Sequence, residues 1–156
     1  MISFKYPGND SLTLEHLVLD VNGTIAKDGK LLAGIPERIQ KLSEKLKIHI
    51  LTADTHGKQS EIDSILSIKG LRISPKNEAQ QKMNYVLDLG KENTVAIGNG
   101  ANDSLMIKSA CLGIVVIGNE GAAIETLINS DIVCTNIFDA LDLLLNSKRI
   151  VATLRK

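Results

Sequence analysis

The sequence contains no tryptophan, and aromatic side chains make up only 3% of its 156 residues. A hydrophobic core must therefore consist mainly of aliphatic side chains, within a hydrophobic fraction of 44%. The charged fraction is 23%, and both fractions are ordinary for globular proteins. This length predicts one compact domain spanning residues 1–156, without an internal linker.

An excess of charge of either sign is also missing, because 18 Lys and Arg residues balance 18 Asp and Glu residues. Nucleic-acid and anionic-membrane binding normally require a basic patch, so neither partner is expected. No apolar run reaches the roughly 18 residues of a membrane span, and the N-terminus does not resemble an export signal. We therefore expect a soluble, cytoplasmic protein.

Cysteine is scarce, with two residues, Cys111 and Cys134, in separate apolar stretches. They lack the paired spacing of a zinc site, and we expect buried, reduced thiols.

Short apolar segments alternate along the chain with segments of helical periodicity. This alternation predicts an α/β fold, in which a parallel sheet is covered by helices on both faces. Right-handed crossovers then give a Rossmann-like three-layer α/β/α sandwich. Residues 1–14 are expected to form an N-terminal hairpin, with Pro-Gly-Asn-Asp as its turn. The predicted strands and helices are HLVLDV, PERIQKLSEKL, IHILTA, GKQSEIDSILSI, LRIS, EAQQKMNYVLDLG, TVAIGN, DSLMIKSA, LGIVVIG, GAAIETLIN, DIVCTN and FDALDLLLN.

Polar, turn-forming residues follow three of the predicted strands, at residues 20–24, 52–54 and 98–103. Ligands of open parallel sheets bind where the carboxyl ends of strands meet, so these stretches are the candidate site. Taken singly, each residue also has an ordinary explanation. Asp20 suits a turn, Thr52 suits a helix cap, and Lys82 suits a solvated helix face.

The histidines give little guidance from the sequence. His16 and His49 fall in or beside predicted strands, where packing or surface roles are expected. His56 lies in the loop after Thr52, at the edge of the candidate site, where it could contact a substrate.

The order of these residues resembles motifs I to IV of the haloacid dehalogenase-like superfamily. Motif I corresponds to Asp20-Val21-Asn22-Gly23-Thr24, and motif IV corresponds to Gly98-Asn99-Gly100-Ala101-Asn102-Asp103. The resemblance implies a phosphohydrolase or phosphotransferase that forms an aspartyl phosphate on Asp20. It assigns catalytic roles to Asp20, Asn22, Thr52 and Lys82, substrate binding to Gly23, Thr24, Ala53 and Asn102, and Mg²⁺ binding to Asp20, Asn22, Asn99 and Asp103.

More narrowly, residues 98–118 and the ending ALDLLLNSKRIVATLRK resemble the phosphorylation domain of P-type ATPases, and in particular their soluble relatives. The short intervals between Asp20, Thr52 and Lys82 leave no room for a cap domain. Residues 28–34 resemble the flap of cap-less members. The resemblance implies an open site for a small phosphorylated substrate or a phosphoprotein, with a neighbouring subunit of a homo-oligomer as an alternative lid.

Two positions depart from the family pattern. Asn22 replaces the aspartate that protonates the leaving group, which predicts the loss of about 10²–10⁴-fold acid–base assistance. Asn99 replaces a motif IV aspartate and supplies no negative charge, which predicts weaker Mg²⁺ binding. These departures leave an alternative function open, namely a non-catalytic phosphate-binding or regulatory module. A receiver-like signalling domain is disfavoured by the order of Asp20, Thr52, Lys82 and Asp103.

Overall fold

The computed structural model describes residues 1–5, 7 and 11–155, which contain ten strands and seven α-helices. The strands are β1 (Ile2–Phe4), β2 (Leu12–Leu14), β3 (His16–Asp20), β4 (Ala26–Lys27), β5 (Lys30–Leu31), β6 (Lys47–Thr52), β7 (Leu71–Arg72), β8 (Thr94–Gly98), β9 (Leu112–Val116) and β10 (Ile132–Cys134). The helices are α1 (Ile35–Ser43), α2 (Gln59–Leu66), α3 (Glu78–Leu89), α4 (Ser104–Ser109), α5 (Ile124–Ile128), α6 (Ile137–Leu145) and α7 (Ser147–Leu154).

Six parallel strands form the central sheet, in the order β10-β9-β8-β3-β6-β7. The predicted α/β fold with a Rossmann-like parallel sheet is therefore confirmed. Strand β3 lies between β6 and β8, and its residue Leu19 is opposite both Ile50 and Ile97. Strands β3, β6 and β8 thus end side by side at one edge of the sheet.

Two aliphatic clusters cover the two faces of the sheet, as side chains alternate along each strand. The smaller cluster packs beneath α3 and α4, and it includes Val18, Leu51, Val86, Ala96, Met106 and Ile107. The larger cluster packs beneath α1 and α6, and it includes Leu17, Leu19, Ile50, Ile97, Leu42 and Leu141. Branched aliphatic side chains thus fill the core, in keeping with the low aromatic content of the sequence. Within the described residues, no helix is both long and apolar enough to cross a membrane.

Helix α3 has the extent that its sequence predicts. It begins with the acidic residue Glu78, which favours the positive end of the helix dipole. It ends before Gly90, whose φ of 98° suits glycine rather than a residue with a Cβ atom. Lys82 and Val86 are the buried residues of this helix, so its inner face combines a cation with aliphatic packing.

Two short hairpins accompany the central sheet. Strands β4 and β5 pair antiparallel and form a flap between β3 and α1. Strands β1 and β2 also pair antiparallel, with Ile2 opposite Leu14. Residues 8–10 of the predicted Pro-Gly-Asn-Asp turn lie outside the described residues. For the C-terminal segment, the sequence analysis gives a family resemblance and no helix. In the structure, the residues after Asn146 form a separate helix, α7.

We expect Gly113→Ala to lower the free energy of unfolding by about 1–3 kcal/mol, because overpacking forces the backbone to shift. A Cβ atom at this position of β9 would lie 2.5 Å from the main-chain oxygen of Ile107 in α4. Urea denaturation would measure the change. Val133→Ala on the neighbouring strand, where Val133 is 48% exposed, is a control with a much smaller expected loss. An equally small effect of both variants would contradict this interpretation.

Candidate active site

The predicted site residues gather at the carboxyl ends of the three central strands. Asp20 ends β3 and is opposite Leu51 of β6, so Thr52 lies one residue further along the same edge. Asn99 follows β8 on the other side of β3. The side chains of Asp20 and Thr52 are both buried. The sheet topology therefore brings together residues that are far apart in the chain.

Lys82 reaches this edge from α3 and joins the two acidic residues of the site. Its Nζ atom donates to Oδ1 of Asp20 at 2.7 Å and to Oδ1 of Asp103 at 2.6 Å. The lysine is completely buried, and Asp103 is also fully inaccessible. An unpaired charge would be strongly unfavourable here, so the ion pairs are required for burial of this lysine.

The loop after β8 fixes the orientation of Asp103. Its Oδ2 atom accepts the main-chain N–H groups of Asn99 and Gly100, both at 3.0 Å. Gly98 allows this approach, because a Cβ atom there would lie 2.5 Å from the Asp103 carboxylate. Both oxygens of Asp103 are therefore engaged by the protein, which favours an orienting role over the direct Mg²⁺ ligation that the family resemblance implies.

Thr24 connects Asp20 with Asn99. The Thr24 hydroxyl lies 3.2 Å from Oδ2 of Asp20 and 3.3 Å from Oδ1 of Asn99, and its single proton is available to either oxygen. Gly23 lies against the Asn99 amide, where a Cβ atom would come within 2.4 Å of Nδ2. Two side-chain oxygens therefore flank one hydroxyl group at the mouth of the site.

Four other predicted residues have different surroundings. Asn22 has a buried Oδ1 atom without a hydrogen-bond partner, and the small space beside it is also lined by Asp54, His56 and Lys58. Asn102 donates through Nδ2 to Oε2 of Glu78 at 2.7 Å. Ala53 is half-buried just beyond Thr52, and His56 is exposed.

The arrangement strongly affects the protonation of its charged groups. The pKa of Asp20 is raised to about 7, because burial and, to a smaller extent, the nearby charge of Asp103 outweigh the opposing effect of Lys82. Burial by itself lowers the pKa of Lys82, but the two carboxylates outweigh it and the pKa is raised. Lys82 is therefore a permanent cation, whereas Asp20 exchanges a proton near neutral pH.

The donor atoms at the site suit a hard divalent cation. Asp20 and Asn99 offer oxygen atoms, the ligand type that Mg²⁺ prefers. Within the described ranges, no group of three or more His, Cys, Asp or Glu side chains is arranged to hold a metal. The unpartnered Oδ1 atom of Asn22 shows that the site contains an unused oxygen acceptor. The residues thus fit a weakly held magnesium ion better than a zinc ion.

Sequence reasoning did not find Glu78 or the contact between His49 and Tyr85. Glu78 ties α3 to the loop after β8 through Asn102. His49 and Tyr85 are hydrogen-bonded beneath the same helix. No residue pattern marks either contact, because both depend on how α3 lies on the sheet. Cys111 and Cys134 are both free, but only Cys134 is buried as predicted, since Cys111 is half-buried. Burial raises the pKa of each thiol to about 11.

An acidic group, a buried lysine and a loop that turns main-chain N–H groups inward, all at the carboxyl edge of a parallel sheet, define a class of anion-binding α/β proteins. No family model matches the sequence. An uncharacterised protein of Methanocaldococcus jannaschii is 52% identical over 83 residues, which are 51% of this chain and 89% of that protein. The soluble P-type ATPase-like phosphatase of the same organism is 26% identical over 136 residues, which are 85% of this chain and 50% of that protein.

Solved structures share the fold at low sequence identity. The 3-deoxy-D-manno-octulosonate 8-phosphate phosphatase of Moraxella catarrhalis, in complex with magnesium, phosphate and KDO, has a TM-score of 0.70 and 17% identity, over 91% of this chain and 94% of that chain. The cobalt-bound enzyme of Haemophilus influenzae has a TM-score of 0.71 and 13% identity, over 92% and 94% of the two chains. The chain shares the α/β fold of these phosphatases, and the described residues between β3 and α3 contain a flap, α1 and α2 but no cap domain.

We expect Asp20→Asn to stabilise the protein, and the gain to increase as pH rises from about 4 to about 7. The folded-state pKa of Asp20 is raised from 3.8 to about 7, so the folded state loses stability relative to the unfolded state across this window. Asparagine cannot ionise and avoids this loss. The expected gain above pH 7 is on the order of 2–4 kcal/mol. Urea denaturation at several pH values would measure it.

Asp63→Asn is a control with the opposite sign. Burial raises the pKa of Asp63, but hydrogen bonds from Gln59, Gly70 and Arg72 outweigh it and the pKa is lowered. This variant should lose stability near neutral pH, and the loss should fade as pH falls through the lowered pKa. The same pH trend in both variants would contradict the assignment for Asp20.

Proposed function

We propose that this protein is a magnesium-dependent phosphohydrolase or phosphotransferase that is phosphorylated on Asp20. The observation that carries this proposal is the position of Lys82, whose Nζ atom lies 2.7 Å from Asp20 and 2.6 Å from Asp103. A buried cation beside a nucleophilic carboxylate can neutralise the charge of an incoming phosphoryl group. Positioning and charge neutralisation account for most of the catalysis of phosphoryl transfer.

Each residue has a role that its contacts allow. Asp20 attacks the phosphorus atom through a carboxylate oxygen and displaces the leaving group, and water later attacks the aspartyl phosphate and releases phosphate. Lys82 holds a phosphoryl oxygen from beneath. The Thr52 hydroxyl accepts the main-chain N–H of Asp54 at 2.9 Å, so its own proton points elsewhere and can bind a phosphoryl oxygen. The main-chain N–H of Ala53 would complete the oxyanion contacts, with Asn102 at the rim. The main-chain N–H groups of Gly23 and Thr24 donate to the oxygens of Ala26 and Val21, so these two residues would shape the pocket rather than donate to the substrate.

Magnesium would be held by oxygen atoms of Asp20 and Asn99, with the main-chain carbonyl of Asn22 and water as further ligands. When bound, the cation supplies the positive charge that allows two anions to approach each other. A related fold binds magnesium together with phosphate in the Moraxella catarrhalis phosphatase, which supports this assignment. Because Asn99 carries no charge, we propose that Mg²⁺ binds weakly, and because Asn22 cannot donate a proton, we propose that turnover is slow.

The substrate that we propose is a small phosphorylated metabolite, and a phosphoprotein is the alternative. The residues between β3 and α3 form the flap at β4 and β5, α1 and α2, and they include no cap domain. A substrate does not have to displace a cap from the described part of the chain.

One observation favours a second candidate, a phosphate-binding module without turnover. The Oδ1 atom of Asn22, at the acid–base position, is enclosed and has no hydrogen-bond partner. Calorimetry with phosphorylated metabolites would then detect binding without product.

Asp20→Asn should abolish hydrolysis, with a loss of at least about 10³-fold, because the amide cannot attack phosphorus. The measurement is phosphate release in magnesium from a panel of phosphate monoesters and an acyl phosphate. Asp142→Asn is the control, since Asp142 pairs with Arg38 on α1 rather than with site residues. Hydrolysis that persists at full rate in Asp20→Asn refutes the proposal.

Asn22→Asp should raise turnover by about 10-fold or more, because it restores a proton donor at the acid–base position. Asn99→Asp should tighten Mg²⁺ binding through its added charge, although it loses the hydrogen bond from Nδ2 to the Gly121 oxygen at 3.1 Å. Steady-state kinetics and magnesium titration separate the two effects. If neither variant gains, the binding-only function is favoured.

A further inference from the structure

A chain of three hydrogen-bonded side chains lies beneath α3, apart from the site itself. Nδ1 of His16 lies 3.0 Å from Nε2 of His49, and Nδ1 of His49 lies 2.9 Å from the hydroxyl oxygen of Tyr85. The rings of His16 and His49 are tilted relative to each other, and the rings of His49 and Tyr85 meet edge to face. All three residues are half-buried.

Each member of this chain lies on an element that also carries a site residue. His16 begins strand β3, which ends in Asp20, and His49 lies on β6, which ends in Thr52. Tyr85 lies on α3, three residues after Lys82, on the same face of the helix. His16 and Asp20 also point to the same face of the sheet, because they are four residues apart on one strand.

Helix α3 is therefore attached to the sheet by polar contacts at two points. One contact is the ion pair of Lys82 with Asp20, and the other is the hydrogen bond of Tyr85 with His49. Between them lie apolar side chains such as Val18 and Val86. Apolar packing is not directional and does not by itself fix how far a helix slides along a sheet. Hydrogen bonds do fix this distance.

The hydrogen-bonded side chains of His16, His49 and Tyr85 carry no charge at neutral pH. The pKa of His49 is lowered to about 4, mainly by burial and also by the charges of His16 and Lys47. Burial and Lys47 also lower the pKa of His16, against a smaller opposing effect of Glu15. Two proton arrangements satisfy both contacts. In one, His16 donates to His49 and His49 donates to Tyr85. In the other, Tyr85 donates to His49 and His49 donates to His16. Either arrangement leaves His49 bonded through both ring nitrogens.

We propose that Tyr85, held by the His49–His16 pair, is a positioning residue that sets the register of α3 on the sheet and so keeps Lys82 between Asp20 and Asp103. This inference rests on the proposed role of Lys82 in phosphoryl transfer. The lysine must reach two carboxylates at 2.6 and 2.7 Å, and productive sites tolerate displacements of only about 0.5 Å.

A double substitution separates a positioning role of these side chains from a contribution to stability. Replacing both partners of a buried hydrogen bond with apolar groups of similar shape is often nearly neutral or stabilising. A merely structural role would therefore be preserved in His49→Leu with Tyr85→Phe. A positioning role would be lost in that double variant, because the directional contact is removed while packing remains.

The test compares Tyr85→Phe, the double variant and Asn84→Ala, an exposed control on the same helix. The first measurement is the rate at which an amine-acetylating reagent modifies Lys82, followed by mass spectrometry, together with the free energy of unfolding. We expect acetylation of Lys82 to rise about 3–10-fold in Tyr85→Phe and in the double variant, but not in Asn84→Ala. We expect kcat to fall about 3–10-fold with little change in KM.

The outcomes separate this inference from the proposed function. Unchanged acetylation and unchanged kcat in the double variant overturn the positioning role. A rise in acetylation that only follows a loss of global stability also overturns it. If the wild-type protein shows no Asp20-dependent hydrolysis, the proposed function fails, and the acetylation rates alone still decide whether Tyr85 holds Lys82 in place.

Discussion

The buried ammonium group of Lys82 is the interaction on which this structure depends most. It is completely inaccessible, and it is held between the carboxylates of Asp20 and Asp103. Removing a charge from water is unfavourable by several kcal/mol, and only close pairing offsets this penalty. The lysine therefore constrains α3, β3 and the loop after β8 to one relative arrangement. The same constraint places a buried cation at the edge of the sheet where we propose that phosphate binds.

One cation cannot neutralise two buried carboxylates, and this imbalance links stability to reactivity. The pKa of Asp20 is raised to about 7, first through burial and then through Asp103. The residue that we propose as the nucleophile is thus held in a state that disfavours its own charge. A cation or a further hydrogen-bond donor would relieve this condition. Functional sites commonly combine these properties, because reactive groups are seldom the most stable choice at their positions.

Much of the fold could be predicted from the sequence, because hydrophobic periodicity determines which segments become strands and helices. The parallel sheet, the extent of α3 and the end of that helix before Gly90 all follow from local patterns. The proximity of Asp20, Lys82 and Asp103 was predicted from the order of motifs, and the distances agree with it. The chemical roles of these residues stay proposals, since distances alone do not demonstrate catalysis.

Other features could not be predicted, because they depend on tertiary placement. The link between Glu78 and Asn102 requires the first turn of α3 to meet the loop after β8. The pairing of His16 with His49 requires β3 and β6 to be neighbours in a particular register. Neither requirement leaves a trace in composition or periodicity. The enclosed Oδ1 atom of Asn22 is a further example, because burial of a single atom depends on the flap and on a distant loop.

The position of β3 at the centre of the sheet has a consequence for the folding of the newly made chain. Asp20 is synthesised before its lysine partner, which follows 62 residues later, and the flanking strand β8 comes later still. Lys82 and Asp103 are only 21 residues apart and can meet through local chain closure. The first strand is therefore enclosed by segments synthesised after it, and contacts of such long sequence separation form slowly. An Asp20 side chain without its later partners is an ordinary solvated carboxylate, so the reactive centre does not exist until most of the chain has been made.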